Sequence, residues 1–318
     1  MSSVLVTGGA GFIGSNLVKS LTGKGYHVTV LDNFDTGYHE NISNFKNVDV
    51  VKGDIRDREL VNKLTTKVEG IFHLAANVGN LKSIENPNVD AEINILGTLN
   101  LLNAARNNKI KKFVFSSSSA IFGEVEYLPL DEKHPAEPDS PYGVSKLAAE
   151  KHCLCYSKLY DMEIVCLRYF NVYGINQRFN PYGNIIPIWT ECLIDNKPFT
   201  IYGDGEQTRD FINVADIVQA NIKSFETKGV RGAFNIGSGE STTINNLAKI
   251  FEKVSKKKID TIYAPRRKGE VLHSKADIQK AQSAFNFKPE ITLEKGLLEY
   301  LSWFKKSPHL SITVKKFA

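Results

Sequence analysis

Tyr142 and Lys146 are the residues whose types and spacing first indicate chemistry, because they stand four positions apart in the stretch 141–146. At the start of a helix this spacing places both side chains on one face. A phenol ordinarily loses its proton at about pH 10, but a lysine ammonium held beside it stabilises the phenolate and lowers that pKa. The pair therefore predicts a tyrosine general base, although the same pattern also occurs on solvated helix faces.

A glycine-rich turn near the N-terminus predicts a dinucleotide site that could serve such a base. A β-rich run at residues 4–6 is followed by the turn 7–14 and by an amphipathic stretch through residue 24, which predicts strand, turn and helix. The glycines of such a unit permit a tight turn, let backbone amides approach a pyrophosphate and let the helix lie close to the sheet. The predicted cofactor residues of this turn are Gly8, Gly11, Phe12, Ile13 and Gly14.

Asp32 indicates which dinucleotide the turn binds. A second predicted strand, residues 27–31, ends in this aspartate, 18 residues beyond Gly14. Its carboxylate can accept hydrogen bonds from both ribose hydroxyls of NAD, whereas it would repel the 2′-phosphate of NADP. The sequence therefore predicts NAD as the cofactor.

Further strands, predicted at 48–52, 70–73, 112–115 and 164–168, alternate with helices and predict an α/β fold, a doubly wound parallel sheet of the Rossmann type. Ligands bind at the carboxyl ends of such strands. The turns at those ends add further predicted cofactor residues: Asn33, Asp54, Ile55, Leu74, Ala75 and Ala76. Asn94, on a helix predicted at 89–107, has two open interpretations, a cofactor contact or a scaffold residue.

The alternation breaks after residue 171, and a smaller α+β lobe is predicted there from two separated pieces. We assign residues 1–170 plus 211–250 to the NAD-binding domain and residues 171–210 plus 251–318 to the smaller, substrate-binding lobe. Helices are predicted at 142–160, 186–194, 214–225, 245–255 and 293–304, and strands at 199–202 and 233–237.

Composition argues against several other functions. The chain of 318 residues carries a net charge of +5 without the long Lys/Arg run of nucleic-acid surfaces. No apolar run approaches the roughly 18 residues that a membrane span needs, and no signal peptide is visible. We therefore expect neither a nucleic-acid nor a membrane partner. Its four cysteines lack a C-x-x-C pair, which predicts reduced thiols, no metal site and a cytoplasmic location.

Together these motifs resemble an extended short-chain dehydrogenase/reductase, and within that group a nucleotide-sugar 4-epimerase of the UDP-glucose/UDP-N-acetylglucosamine type. The resemblance implies that C4 of a UDP-sugar gives a hydride to NAD, that the 4-keto sugar turns over, and that the hydride returns to its other face. It also implies a homodimer that pairs helices 89–107 and 142–160. The similar motifs fall in the family's order at residues 7–14, 54–56, 73–76, 116–123, 142–146, 168–171, 209–211 and 267–270.

The resemblance also assigns the catalytic residues. Ser118, five residues before Gly123, would hydrogen-bond the sugar hydroxyl, and Tyr142 would take the proton of the 4-hydroxyl. Lys146 would bind the nicotinamide ribose and hold down the phenol pKa, and Tyr169 would join the cofactor contacts.

Two positions of the serine-rich segment 116–123 distinguish this chain from relatives. Relatives that dehydrate or decarboxylate the sugar carry an acid where this chain has Ala120, so the resemblance disfavours those reactions. Phe122 replaces a tyrosine that is common in relatives; the ring is kept and the hydroxyl is lost.

At the nucleotide end, the resemblance places two arginines on the diphosphate, since guanidinium forks suit paired phosphate oxygens. A glutamate would receive the uridine ribose hydroxyls, and residues 184–186 with Tyr202 would line the uracil. The predicted substrate residues are Ser118, Asn171, Asn184, Ile185, Ile186, Tyr202, Arg209, Arg267, Glu270 and Ser274.

Substrate choice is expected to depend on Ser274. Epimerases that reject N-acetylated sugars have a tyrosine seven residues past the second diphosphate arginine, and this chain has the small Ser274 there. A small residue permits an acetamido group without requiring it. We therefore expect activity on UDP-GlcNAc, UDP-Glc or both. The alternatives are a UDP-glucuronate 4-epimerase, for which only Lys82 offers a cation, another sugar-nucleotide oxidoreductase, or a non-catalytic NAD-binding sensor.

Overall fold

The computed structural model describes residues 2–179, 184–266 and 271–307. Strands and helices alternate through the first half of the chain. The strands are β1 (Ser3–Thr7), β2 (His27–Asp32), β3 (Val48–Lys52), β4 (Gly70–His73), β5 (Lys112–Ser118), β6 (Glu163–Tyr169), β7 (Asn171–Tyr173), β8 (Phe199–Tyr202), β9 (Thr208–Arg209), β10 (Phe211–Asn213), β11 (Gly232–Ile236), β12 (Thr242–Thr243) and β13 (Thr261–Ala264).

Seven parallel strands form the central sheet in the order β3-β2-β1-β4-β5-β6-β11. Strands buried on both faces are continuously apolar rather than alternating, as Val4–Val6 illustrate with no exposed surface. The order reverses between β1 and β4, so their carboxyl ends open the crevice in which doubly wound sheets bind ligands. The predicted doubly wound Rossmann fold is confirmed.

Helices cover both faces of this sheet. The helices are α1 (Phe12–Gly23), α2 (Arg58–Thr65), α3 (Asn80–Glu85), α4 (Pro87–Ala91), α5 (Thr98–Asn107), α6 (Pro141–Leu159), α7 (Ile185–Ile194), α8 (Val214–Glu226), α9 (Ile244–Ser255), α10 (Gln279–Phe285) and α11 (Leu293–Lys306). One apolar cluster packs α1 and α8 on one face, and a second packs α2, α5 and α6 on the other.

The predicted continuous helix 89–107 is instead interrupted. Residues Glu92–Gly97 form a π-helix between α4 and α5. Gly97 lies against Ile55, and a Cβ there would stand 2.5 Å from the Ile55 Cδ1 atom, so glycine is what lets this segment approach the sheet. Single π turns recur at functional sites, and this one turns Asn94 inward, where it is 2% exposed.

A third apolar cluster forms the smaller lobe. It contains Trp189, Phe199 and Phe251, whose rings stack or meet edge to face at 4.5–5.8 Å, together with residues of α9 and α11. Short strand pairs, β7 with β10 and β8 with β13, flank it. The predicted lobe boundary at 250/251 falls inside α9, whose apolar residues on both sides of it join this cluster; the division into two lobes stays a prediction.

Most predicted helices and strands beyond residue 108 are present with ends shifted by a residue or two. Helices α2, α3 and α10 and the short strands β7, β9, β10, β12 and β13 were not predicted. Within the three described ranges, no helix combines the length and the apolar character needed to cross a membrane.

Candidate active site

Helix α6 presents Tyr142 and Lys146 at its first turns. Ser140 is its N-cap, and the Ser140 hydroxyl accepts a hydrogen bond from the Gly143 amide at 3.2 Å, while Pro141 occupies the first helical position. The Tyr142 amide, which such a helix start leaves without an intrahelical partner, donates to the Ser83 hydroxyl at 3.0 Å. The start of α6, and with it the tyrosine, is therefore fixed on two sides.

Burial raises the pKa of the Tyr142 phenol to about 12, and the negative charge of Asp90 acts in the same direction. Hydrogen bonding with Ser118 acts against this increase. The lowered pKa predicted from the sequence is therefore wrong in direction for the protein's own groups, because desolvation of the phenolate outweighs the groups that stabilise it.

Lys146 lies entirely inside the protein, with 2% of its surface exposed and its ammonium 4.4 Å from the centre of the Phe115 ring. Burial lowers its pKa to about 8, partly opposed by neighbouring acidic groups that include Asp90. His73, on β4, stays neutral because burial lowers its pKa to about 3, with the Lys146 charge acting in the same direction. A lysine so poised can exchange its proton near neutral pH.

Strand β5 delivers the serine-rich run to this centre. Ser118, its last residue, accepts a hydrogen bond from the Ala120 amide at 3.2 Å and meets the Tyr142 phenol. The preceding Ser117 donates to Glu150 at 2.6 Å, and Glu150 forms an ion pair with Arg168 at 2.7 Å. The hydroxyls of Ser117 and Ser118 thus have hydrogen-bond partners.

Phe122 keeps the stacking expected of its ring. The Arg168 guanidinium lies 5.2 Å from the ring centre, and His134 meets the ring edge-on at 5.4 Å. Compared with the tyrosine that is common in relatives, this position lacks only the hydroxyl, and its ring still packs against the Arg168 guanidinium.

Asn94 belongs to a buried hydrogen-bond network. Its side chain accepts from the Asn77 amide at 2.8 Å and donates to the Asn77 carbonyl at 3.1 Å and to the Ser145 hydroxyl at 2.9 Å. Asp90 accepts from the side chains of Asn77, Asn94 and Ser145. Because its side chain is engaged on all sides, Asn94 fits the scaffold interpretation of the two that the sequence leaves open.

Asp90 and Ser145 were missed by the sequence reasoning. The signal available was the spacing of Asp90 and Asn94, four residues apart on a predicted helix, which places them on one face. Nothing in the sequence indicates that this face turns inward toward α6.

The glycine turn has the shape of a phosphate cradle. A Cβ on Gly8, whose φ is +69°, would stand 2.8 Å from the Ala75 nitrogen, and one on Gly14 would stand 2.0 Å from the Gly8 carbonyl oxygen. Helix α1 has no side-chain cap and no acidic residue in its first turn, so its amides at Phe12 and Ile13 are available to an anion. These features fit the pyrophosphate of a dinucleotide.

Asp32 ends β2 with 7% of its surface exposed. One carboxylate oxygen accepts from the Ala10 amide and the other from the Phe34 amide, both at 2.9 Å. Each oxygen retains a lone pair, so the carboxylate is held in place and can still accept from two ribose hydroxyls.

The other predicted cofactor residues line the same edge. Asn33 donates to Asp54 at 3.4 Å, and hydrogen bonds from Arg56 hold the pKa of the Asp54 carboxyl below its usual value. Ile55 is buried, and the Ala75 amide donates to Thr7 at 3.2 Å. Leu74 packs against the first apolar cluster, and Ala76 continues the same turn after β4.

Tyr169, the last residue of β6, is directed away from this edge. Its hydroxyl exchanges hydrogen bonds with the Asn221 side chain on α8 at 2.8 and 3.0 Å, and only 6% of the residue is exposed. Burial raises the pKa of its phenol. The phenol of Tyr169 is therefore occupied within the fold, which leaves its backbone and ring edge for any cofactor contact.

The loop after β7 lies against helix α1. Asn176 donates to the Ser15 hydroxyl at 3.0 Å, and Asn16 donates to the Ile175 carbonyl at 2.8 Å, so the loop rests on α1. Arg178 stacks 3.3 Å from the centre of the Tyr38 ring. This contact beside the glycine turn was not predicted.

Asp210, which is fully buried, connects the segments around the predicted substrate residues Arg209 and Ser274. Its carboxylate accepts from the amides of Ser238, Gly239 and Ala276 at 2.7–3.0 Å and from the Ser238 hydroxyl. Burial raises its pKa. Asp210 thereby fixes the segment that carries Ser274 beside strand β9.

Arg209 and Ser274 are brought together on that segment. Arg209 donates to the carbonyls of Thr208 and Leu272 at 2.8 and 3.4 Å, and the Ser274 amide lies 3.4 Å from the Thr208 hydroxyl. Ser274 is 8% exposed, so a bulkier residue there would have to displace its neighbours.

The remaining predicted substrate residues differ in their contacts and burial. Asn171 starts β7, and Asn184 precedes α7 and donates to the Val172 carbonyl at 3.3 Å. Ile185 and Tyr202 are half-buried, whereas the Ile186 side chain is buried in the third cluster, which leaves its backbone for a ligand. Arg267 and Glu270 lie outside the described residues.

Comparison with known proteins supports this geometry. The family model described as GDP-mannose 4,6 dehydratase matches residues 5–300. The UDP-glucose 4-epimerase of Mycolicibacterium smegmatis is 34% identical over 306 residues, which cover 95% of this chain and 98% of the relative.

Solved structures are also similar to this chain over nearly its whole length. The UDP-N-acetylglucosamine 4-epimerase of Methanobrevibacter ruminantium M1, in complex with UDP-N-acetylmuramic acid, is 38% identical with a TM-score of 0.93, covering 96% of this chain and 99% of that one. The UDP-glucuronic acid 4-epimerase of Bacillus cereus, in complex with UDP-glucuronic acid and NAD, is 33% identical with a TM-score of 0.89, covering 96% and 99%.

These similarities extend over nearly the whole chain and include the glycine turn, the serine run and the Tyr142/Lys146 helix. The resemblance stated from the sequence is thereby confirmed: the chain belongs to the GDP-mannose 4,6-dehydratase-like family of extended short-chain dehydrogenases/reductases, and its relatives there include UDP-sugar 4-epimerases.

Proposed function

We propose that this enzyme interconverts the C4 epimers of a UDP-hexose with NAD as its cofactor. The observation that carries the proposal is the placement of Tyr142 and Lys146 one helical turn apart at the start of α6, which packs against β5, the strand that ends at Ser118. The solved UDP-sugar 4-epimerases that are similar to this chain support it, and one of them is in complex with UDP-glucuronic acid and NAD. A non-catalytic sensor would have no use for a base held in this way.

The residues of the cofactor edge fit NAD. The Gly8–Gly14 turn would hold the pyrophosphate, and Asp32 would accept from the adenosine ribose. When bound, NAD supplies the hydride acceptor and donor for C4 of the sugar and brings a positive charge near the phenol. That charge would lower the Tyr142 pKa, which the protein's own groups leave raised.

The catalytic residues then move one proton. Ser118 would orient the sugar 4-hydroxyl, and Tyr142 would accept its proton and return it when the 4-keto sugar is reduced on the other face. Lys146, one helical turn from Tyr142 on the same helix face, would stabilise the phenolate and bind the nicotinamide ribose. With Ala120 rather than an acid beside Ser118, the site offers no group there for removing water.

For the sugar, we propose that UDP-GlcNAc and UDP-Glc are both accepted. Ser274 is small, and Asp210 fixes the segment that carries it. Lys82, the one cation considered for a uronate carboxylate, already forms an ion pair with Asp35 at 3.2 Å. Arg209 and, beyond the described residues, Arg267 and Glu270 would bind the diphosphate and the uridine ribose.

We also propose a cytoplasmic homodimer. Leu96 and Val144, on the two helical segments expected to pair, are 51% and 52% exposed, as is expected of apolar residues that a partner subunit covers. All four cysteines are free, which fits a reducing compartment. Light scattering that shows a monomer at micromolar concentration would contradict the dimer.

The decisive experiment incubates the purified protein, without added NAD, with UDP-Glc, UDP-GlcNAc or UDP-glucuronate, and follows the 4-epimer by proton NMR. We expect turnover of the first two.

Tyr142→Phe should abolish turnover and leave NAD bound; full activity in that variant would remove the tyrosine from its role. Ser274→Tyr should remove the N-acetylated activity selectively, so an equal loss of both activities would count against the sugar assignment.

A further inference from the structure

The buried side chain of Asp90 has no role in the reaction as described so far. Asp90 lies on α4 with 1% of its surface exposed. One carboxylate oxygen accepts from the side-chain amides of Asn77 at 3.0 Å and Asn94 at 3.2 Å, and the other accepts a short hydrogen bond from the Ser145 hydroxyl. All three donors are neutral, so none of them cancels the carboxylate charge.

The network joins this carboxylate to the helix that carries the base. Ser145 stands between Tyr142 and Lys146 in the sequence, and its hydroxyl also lies 3.0 Å from the Tyr142 carbonyl oxygen. Through Asn77 and Asn94 the same carboxylate holds the turn after β4 and the π-helix. Asp90 therefore connects the first turns of α6 to the cofactor edge of the sheet.

We propose that Asp90 is a positioning residue for proton transfer, which fixes the Tyr142–Lys146 turn of α6 through Ser145 and supplies the buried negative charge that acts on both side chains. A negative charge opposes the phenolate and favours the ammonium. Its field raises the pKa of Tyr142 and that of Lys146, which agrees with this placement. The proposal rests on the proposed epimerase function.

Other titratable groups near Asp90 are few. Tyr142 and Lys146 approach from α6, His73 on β4 stays neutral, and Asp139 lines the same surface cleft from the turn before α6. Asp139 is exposed, so its charge is screened by water and it serves as a matched control.

Asp90→Asn separates charge from geometry. The asparagine oxygen can still accept from Asn77 and Asn94, and its amide can donate to Ser145, whose hydroxyl can turn to the Tyr142 carbonyl. Without the negative charge the pKa of Tyr142 and that of Lys146 both fall. We expect the profile of kcat against pH to move to lower pH by on the order of 1 unit, with NAD still bound.

Ser145→Ala tests the positioning alone, since it keeps the charge and removes the tether. We expect kcat to fall by about tenfold or more, KM to change little and the pH profile to stay in place. In Asp139→Asn neither kcat nor the profile should change.

The outcomes distinguish this inference from the proposed function. If the wild type turns over no UDP-hexose, the proposed function fails. If the wild type is active and the Asp90→Asn profile superimposes on it, the charge role is overturned. Should Asp90→Asn not fold, Ser145→Ala decides: a normal kcat overturns the positioning role, and a tenfold loss with NAD retained supports it.

Discussion

Two buried carboxylates, Glu150 and Asp90, bind the side chains around helix α6, and they differ in the charge of their partners. Glu150, with no exposed surface, contacts the Arg168 guanidinium at 2.7 Å, whereas the donors to Asp90 are neutral amides and a hydroxyl. A counter-charge in direct contact weakens the electrostatic effect of a charge on more distant groups. Accordingly Asp90 raises the pKa of both Tyr142 and Lys146. One carboxylate is part of the scaffold, and the other is part of the electrostatics of the site.

The largest effect is expected where the ion pair is broken. Arg168→Met would leave Glu150 buried beside Ser117 without its cation, and removing one partner of a buried pair costs about 3–5 kcal/mol. Urea unfolding should show this loss. Arg231→Met, which removes an exposed pair with Asp161, should cost much less, because water screens that pair. Equal losses in the two variants would mean that Glu150 is not a buried charge.

A double variant sharpens this prediction. Arg168→Met combined with Glu150→Gln removes both charges, so part of the stability lost in Arg168→Met should return. Additive losses would contradict the ion-pair interpretation and would point to packing of Arg168 on Phe122 instead.

On the Asp90 side, the effect is expected in the pH dependence of stability. Burial lowers the pKa of Lys146 from 10.5 to about 8 in the folded protein. Between these two values the unfolded chain binds the proton that the folded chain has released, so this group makes stability rise with pH. Lys146→Met lacks this gain. Across that pH window the unfolding free energy of the wild type, relative to that of Lys146→Met, should increase by up to about 3 kcal/mol.

Parallel unfolding curves for Lys146→Met and wild type would show that the lysine is not desolvated. The measurement should stop near pH 10, because the raised pKa of Tyr142 makes stability fall above that value as unfolded tyrosine loses its proton.

The two carboxylates also show how far sequence reasoning extends. The doubly wound parallel sheet, Asp32, the glycine turn and the Tyr142/Lys146 face follow from local spacing and strand periodicity, and the structure has the predicted sheet. Arg168 was placed only as part of a motif. Its pairing with Glu150 joins residues 18 positions apart across a sheet face, and no local pattern indicates it.

The Asp90 network was beyond the sequence for a different reason. A regular helix over 89–107 was predicted, and the π-helix at Glu92–Gly97 changes which side chains face inward. The protein's own groups also raise the Tyr142 pKa rather than lower it, and the spacing to Lys146 says nothing about how completely the phenol is removed from water. Burial is set by the packing of distant segments, and it decided the direction here.

The smallest effect is expected from Ser117→Ala, the hydroxyl on the Glu150 side that corresponds to Ser145 on the Asp90 side. Ser117 donates to Glu150 at 2.6 Å, and its loss should cost about 1–2 kcal/mol in urea unfolding. Arg168 still neutralises Glu150 in this variant, so the pH profile of kcat should not move. A shifted profile would show that the charge of Glu150 also reaches the base, and the distinction between a scaffold carboxylate and an electrostatic one would then fail.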